Sequence, residues 1–320
     1  MSIFENKVVL VTGAAGICGH SAIKRLLERE NVKKIRATIF TTRDLEIEDP
    51  KLEVVKADLS IYSDCERVVD GVDIVLNFAA WIRGAKEQQE SRLDLVRNNV
   101  VPAINILDAS VREGVEYFGF VGSSTMYPDS PHPMNEEELL VGEPFKEYAG
   151  VGWMKRYLQK VVEHFQDISD TKFGVVIPMA IYGPHDNFNK HGHVVPQLIM
   201  KASTKMDPFE IWGDGSQIRE FIYVDDLIDS LFYVLENDPS SIPYNVGTGK
   251  STTITELVKE ITSIYNGGYN PEFLYDTSQP TMIPKRRLNI DKISRLGWKA
   301  KYSLREGLKK TIDWYEENKK

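Results

Sequence analysis

The sequence carries only two cysteines in 320 residues, Cys18 and Cys65. That is too few for a disulfide framework, and their spacing is not that of metal ligands. No apolar run approaches the roughly 20 residues needed to span a bilayer. The chain enters an apolar strand directly, without the pattern of a secretory leader. These absences place it in the cytoplasm, away from any membrane. An excess of positive charge is missing too: 47 acidic side chains against 39 Lys and Arg leave a net charge of −8, which argues against a nucleic-acid surface while still allowing a local basic pocket. Internal repeats and low-complexity tracts are absent. What is present is an ordinary globular composition, 42% hydrophobic and 27% charged, enough for one large domain or two coupled lobes.

The most informative stretch is Val8 to Gly19, VVLVTGAAGICG. An apolar run followed by glycines at 13, 16 and 19 predicts a buried strand, a tight turn and a helix. Such a turn aims backbone N–H groups and a helix N-terminus at a pyrophosphate, so Gly13, Ala15, Gly16, Ile17 and Gly19 are expected to cradle a dinucleotide. Within this turn Cys18 reads as a small apolar residue. A helix from His20 to Glu30 and a strand from Lys34 to Thr41 complete a βαβ unit. The second strand ends IFTTRD, which offers Arg43 to a 2′-phosphate and favours NADP; Asp44 close behind leaves NAD as the alternative. Asp58 and Leu59 follow the third strand, placed for an adenine or for a helix cap. Phe78, Ala79 and Ala80 end the fourth strand, with residues small enough for backbone to approach a ligand.

Strand, helix and strand continue to alternate through a helix at Leu93 to Glu113, which Pro102 is expected to start or kink. A strand from Val115 to Gly122 then delivers Ser123, Ser124 and Thr125 at its C-terminal end, where open α/β sheets bind ligands. Next come a proline-rich acidic surface loop, a helix from about Val151 to Gln166, and a sixth strand ending near Pro178. Beyond it the alternation loosens into short strands (Glu210 to Trp212, Tyr244 to Val246, Glu272 to Tyr275) and short helices. The expected architecture is α/β: a Rossmann-type doubly wound parallel sheet over 1–180, then a smaller α/β substrate-binding lobe over 181–320. Segments around 221–247 are expected to return to the first domain, and Phe221 to Asp226 to dock the lobe on the sheet.

The turn TGAAGICG, the strand end NFAA, Asn99 in NNVVPAINILDAS, VGSSTMYP, YGP after the sixth strand and FIYVDDL stand in this order. Together they resemble the extended short-chain dehydrogenases/reductases of the nucleotide-sugar epimerase/dehydratase type over nearly the whole chain. The run GPHDNFNKHGHVVPQLI with WGDGSQIREFIYVDDL resembles the GDP-L-fucose synthase group within it. The resemblance implies hydride transfer at C4 of a hexose carried on a nucleoside diphosphate, and a homodimer formed through the helices beginning near Pro102 and Val151. Moving a hydride at a sugar carbon requires a proton to move at its oxygen. In the family a tyrosine does this, helped by a lysine four residues later and by a Ser or Thr hydroxyl. Ser123 fits the hydroxyl, with Ser124 or Thr125 sharing the role, and Lys155 fits the lysine that holds the nicotinamide ribose. Asn99 and Pro178 join the expected cofactor contacts.

The tyrosine's place is occupied by Val151, which cannot carry a proton. Tyr148 is the alternative, but it lies two helical turns from Lys155, roughly 10 Å of rise. His193, in Gly192-His193-Val194, stands where the family has the acid that assists epimerisation. The family's partner cysteine corresponds to Thr125, a far weaker acid. Arg219 matches a diphosphate-contacting arginine, Arg286 or Lys285 the late basic contact, and Asn187 and Trp212 are expected to flank the sugar or base. His185, His191 and His193 lie close in sequence, but no acidic or cysteine cluster joins them and no metal is expected. A binding protein that has lost its tyrosine is the alternative to an enzyme.

Overall fold

The computed structural model describes residues 2–29, 31–40, 45–81, 92–189, 192–265, 269–279, 281 and 283–319. Strands β1 (Val8–Thr12), β2 (Lys34–Ile39), β3 (Leu52–Lys56), β4 (Ile74–Asn77), β5 (Tyr117–Val121) and β6 (Lys172–Pro178) pair in parallel. Two short strands, β7 (Ala180–Tyr182) and β8 (Phe209–Trp212), and the longer β9 (Ile218–Tyr223) come next, and then β10 (Ser240–Val246) rejoins the first sheet beside β6. The resulting order is β10-β6-β5-β4-β1-β2-β3. Because every pairing is parallel, all seven C-terminal ends lie on one edge, and the order reverses between β1 and β4. That reversal opens a crevice outside the strand ends, the ligand site of doubly wound sheets.

Burial on both faces explains why these strands are apolar runs and not alternating ones. On one face pack α1 (Ile17–Leu27), through Ala22, Ile23 and Leu26, and the helix Val224–Asn237, through Leu227, Leu231 and Leu235. The other face is covered by α2 (Tyr62–Val69), α3 (Arg92–Glu113) and α4 (Ala149–Ile168), through Val68, Ile106, Leu107, Met154, Leu158 and Val162. Between α4 and Val224–Asn237 lies α5 (Val194–Ser203), so the latter is α6.

The second lobe combines a small sheet, β11 (Ser251–Thr253) with β9 and β7, and a parallel pair, β12 (Phe273–Asp276) with β8. Helices α5, α7 (Ile254–Ile264) and α9 (Leu304–Asn318), the last preceded by α8 (Asp291–Leu296), close it around Leu198, Phe209, Leu257 and Ile312. Carboxylates of α6 tie the lobe down. Asp226 accepts the backbone N–H groups of Lys301 and Tyr302 at 2.8 and 3.0 Å, and Asp225 accepts the Ser21 hydroxyl at 2.6 Å.

Two local expectations change. Pro102 neither begins nor ends a helix: α3 runs through it from Arg92 to Glu113, supported by packing of its apolar residues on the sheet. Tyr244 to Val246 is not a separate short strand but the end of the longer β10, in the segment expected to return to the first domain, held against β6 with Tyr244, Asn245 and Val246 all buried.

Candidate active site

The glycine turn sits at the point where the strand order reverses. Gly13 adopts φ +62°, and a Cβ there would lie 2.8 Å from the Phe78 carbonyl oxygen and 2.9 Å from Ala79 Cα. At Gly19 a Cβ would come within 2.7 Å of Ala14 Cα and meet the Gly13 carbonyl still closer. The turn is therefore a two-sided packing joint, with β4 on one side and the first turn of α1 on the other. Gly16 caps α1 without a side chain, and the first turn of the helix holds no acidic residue. Its N-terminal N–H groups and positive dipole end thus remain available to an anion. Ala15 and Ile17 lie in this segment, half-buried.

Thr12 joins the two central strands beneath the turn. Its hydroxyl donates to Asn77 Oδ1 at 2.7 Å and accepts the N–H groups of Phe78 and Ala79 at 3.1 and 3.0 Å. Thr12→Val leaves two amides and a buried amide oxygen unsatisfied. We expect about 2 to 4 kcal/mol of lost stability in denaturant unfolding, and less than about 1 kcal/mol for Thr12→Ser, which keeps the hydroxyl.

Asn99 supports the segment after β4. Its side chain accepts the Trp81 N–H at 2.9 Å and donates to the carbonyls of Trp81 and Leu95 at 3.0 and 2.7 Å. Its amide thus ties the backbone at Trp81 to that at Leu95. Asp58 accepts from the backbone and hydroxyl of Ser60 at 2.9 and 2.7 Å, while the Leu59 side chain is buried and its carbonyl accepts from Asn105. Pro178 ends β6 in register with Val246. Arg43 and His191 lie outside the described residues.

At the end of β5 the chain turns through a short 3-10 helix, Ser124–Met126, capped by Ser123. Ser123 Oγ accepts from the Thr125 amide at 3.2 Å and from the Thr125 hydroxyl at 2.8 Å, leaving its own hydrogen to donate outward. Helix α4 lies close over this turn, Gly152 meeting the Thr125 carbonyl and Pro144. Arg156, fully buried, donates to the carbonyls of Met126, Val141 and Gly142 and fixes the acidic loop to the turn. The sequence reading did not single out Arg156, because three carbonyl acceptors from two loops leave no local pattern.

Lys155 Nζ donates to the Val121 carbonyl at 3.0 Å and lies 5.1 Å from the centre of the Phe120 ring. The residue is half-buried and its amine is desolvated. Desolvation there lowers its pKa from 10.5 to about 8. Cys18 shares this desolvation; burial first, then Asp186, pushes its thiol up to about 12. Val151 is half-buried and packs against the core below α4.

A second cluster forms around Ser124. Tyr148 closes a 3-10 turn, Lys146–Tyr148, immediately ahead of α4. The Arg286 guanidinium lies 4.1 Å from its ring centre and 3.4 Å from Ser124 Oγ. Arg219, half-exposed, donates to the Ile218 carbonyl at 2.9 Å and acts electrostatically on both Tyr148 and Arg286. Neither arginine forms an ion pair among the described residues. Burial lowers the pKa of both, Arg219 to about 10, and each is further opposed or relieved by its neighbours in the cluster. The acidic loop helps hold Arg286 there: the Met134 N–H donates to the Arg287 carbonyl at 3.1 Å, the Met134 carbonyl accepts the Asn289 N–H at 2.8 Å, and buried Asn245 donates to the carbonyls of Met134 and Asn289.

The remaining expected residues lie further out. His193 caps the N-terminus of α5 and is exposed, whereas Val194 packs on the second lobe's core. Asn187 accepts from the Asn189 side chain. Trp212 is exposed, its indole N–H donating to Glu210 at 3.3 Å. His185 stacks on His20 with ring centres 3.3 Å apart and leans on Trp314, joining α1 to α9. His20 is correspondingly held neutral, its pKa lowered to about 3 by burial and then by His185.

A glycine cradle for an anionic cofactor that opens onto hydroxyls, a buried amine and two guanidiniums is what a dinucleotide-dependent enzyme for an anionic substrate requires. The family profile described as NAD dependent epimerase/dehydratase family matches residues 9–247. The chain belongs to this family, within the extended short-chain dehydrogenases/reductases. It is 31% identical over 329 residues to a probable GDP-L-fucose synthase 1 of Oryza sativa subsp. japonica, covering 97% of this chain and 92% of that one. It is 30% identical over 327 residues to the GDP-L-fucose synthase of Escherichia coli K12, covering 97% of both. The structure of a GDP-mannoheptose C4 reductase from Campylobacter jejuni with NADP bound superposes with a TM-score of 0.82 at 25% identity, over 97% of this chain and 98% of that one.

Proposed function

We propose that the chain is an NADP-dependent reductase of a nucleoside-diphosphate 4-keto sugar, transferring hydride at C4 of the hexose. The observation that carries this reading is the pair Arg219 and Arg286, desolvated guanidiniums without a carboxylate partner among the described residues, grouped with Tyr148 and Ser124. Planar, permanently charged donors suit a diphosphate. With a diphosphate held there, the sugar extends toward the end of β5, where Ser123 presents its hydrogen to the sugar oxygen. Tyr148, stacked on Arg286, adds its phenol to this anion clamp. The turn from Gly13 to Gly19 holds the pyrophosphate of the dinucleotide, and NADP supplies or accepts the hydride when bound. Lys155 orients the nicotinamide ribose, and His193 and Trp212 border the substrate.

Reduction is favoured over epimerisation by Thr125. Its hydroxyl is committed to Ser123, and a hydroxyl is too weak an acid to yield the base that proton abstraction beside a keto group requires. The test is a panel of GDP-, UDP-, dTDP- and CDP-linked 4-keto sugars, scored by loss of the reduced nicotinamide absorbance and by solvent deuterium uptake. Turnover with a member of the panel and no deuterium beside C4 is expected. Failure of every sugar to consume the reduced dinucleotide contradicts the reading.

A further inference from the structure

We infer that Lys155, whose amine is bonded to the Val121 carbonyl at the end of β5, is itself the proton donor to the sugar oxygen in this protein. The inference rests on the reductase reading above. A carbonyl oxygen that receives hydride at its carbon needs a proton from a group that can lose one near neutrality. The candidates around Ser123 can be compared one by one. Val151, one helical turn before Lys155 on α4, neither donates nor accepts. The Thr125 hydroxyl is spent on Ser123. Tyr127, although only four residues from Ser123, is fully buried and donates its hydroxyl to Asn245 Oδ1 at 2.7 Å, and burial drives its pKa upward. Cys18 stays protonated under the same desolvation. Tyr148 has its ring against the Arg286 guanidinium, which lies 4.1 Å from the ring centre, in the anion clamp proposed above.

Lys155 differs from all of these. Its ammonium carries three hydrogens, and among the described residues it makes one hydrogen bond, to the Val121 carbonyl two residues before Ser123. It forms no ion pair among the described residues. The surrounding elements bring the Phe120 ring, the Val121 carbonyl and the Cys18 thiol toward it, and among the described residues Cys18 is the one ionisable group that acts on its charge. An amine so placed is a poor permanent cation and a competent acid, in accord with its lowered pKa of about 8. In the reducing direction the carbonyl carbon accepts a hydride from a reduced nicotinamide dinucleotide. The π pair moves to oxygen, a Lys155 N–H bond breaks with its electrons staying on nitrogen, and a new O–H bond forms. The neutral amine then recovers a proton from water in the open cleft.

The experiment uses the full chain, a reduced dinucleotide and whichever 4-keto sugar the panel identifies. For the unmodified protein, kcat in the reducing direction should be level below pH about 8 and fall above it, because the donor must be protonated. Lys155→Arg keeps a cation and a hydrogen bond donor but cannot release a proton near neutrality. We expect kcat to drop ~100-fold or more, with the far-UV circular dichroism unchanged and the alkaline limb near pH 8 gone. Adding Val151→Tyr to Lys155→Arg should restore at least ~10-fold of the lost rate by returning a phenol to the cleft. Retention of kcat within ~3-fold in Lys155→Arg, or an unmodified protein whose rate does not fall above pH 8, overturns the inference. The circular dichroism of each variant reports its folding, and the unmodified protein's profile needs no variant. If the unmodified protein turns over no sugar, the reductase reading fails first.

Discussion

Replacing both Arg219 and Arg286 with methionine is expected to abolish substrate capture while leaving the protein at least as stable as before. Each charge-assisted hydrogen bond to a phosphate is worth about 1.5 to 3 kcal/mol. Loss of one arginine should therefore weaken nucleoside-diphosphate binding ~10- to 100-fold, and loss of both ~100- to 10,000-fold. The stability expectation has the opposite sign because the two guanidiniums are desolvated, repel each other and lack an ion-pair partner among the described residues. Removing charges that the empty protein does not neutralise relieves strain kept for the ligand, the usual trade between stability and function. Calorimetric titration with GDP and a thermal melt check both halves. Lost affinity together with a lowered melting temperature would instead make the arginines structural.

Gly19→Val should remove dinucleotide binding altogether. The first atom of any side chain at this position enters the space of Ala14 Cα and the Gly13 carbonyl, and both are backbone. Backbone cannot rotate aside as a side chain does, so α1 must lift from the turn and carry its N-terminal N–H groups away from the pyrophosphate. Overpacking of this kind costs about 1 to 3 kcal/mol, and the displaced amides forfeit the anion site as well. An affinity loss of ~100-fold or more in dinucleotide fluorescence titration is expected, with a destabilisation of that size in urea unfolding. Cys18→Ala, one residue earlier, removes only a small thiol and serves as the control for ordinary substitution in the same turn.

Much of this was legible in the sequence because it is local. Glycine spacing states where backbone must approach backbone, and the packing at Gly13 and Gly19 is the physical form of that spacing. Ser123 was readable because strand ends in a parallel sheet share one edge. Docking through Asp225 and Asp226 was expected from the run Phe221 to Asp226, whereas their partners Ser21, Lys301 and Tyr302 lie far away in the chain and no spacing names them. Features assembled from distant segments were not readable. The meeting of Arg286 with Tyr148 needs the acidic loop, β10 and the segment before α8 to close on one another, and no periodicity encodes it. The role of Thr12 was hidden for a similar reason, since three of its bonds go to the end of β4. Pro102 does not start the helix, because its intrinsic penalty is local whereas the packing that carries the helix through it is tertiary. Asn99 was expected beside the cofactor, and its amide is bonded to the loop at Trp81, a support role that sequence spacing does not distinguish from direct contact.

The central claim is that the crevice between the glycine turn and the arginine pair carries hydride to C4 of a nucleotide-linked sugar. It is tested most directly by supplying the protein with NADPH deuterated at the transferring position of the nicotinamide, together with a GDP-linked 4-keto sugar, and locating the label by NMR. The expected result is one deuterium at C4 of the product hexose, with none at the neighbouring carbons. Label at another carbon, or unlabelled sugar with the reduced dinucleotide untouched, contradicts the account.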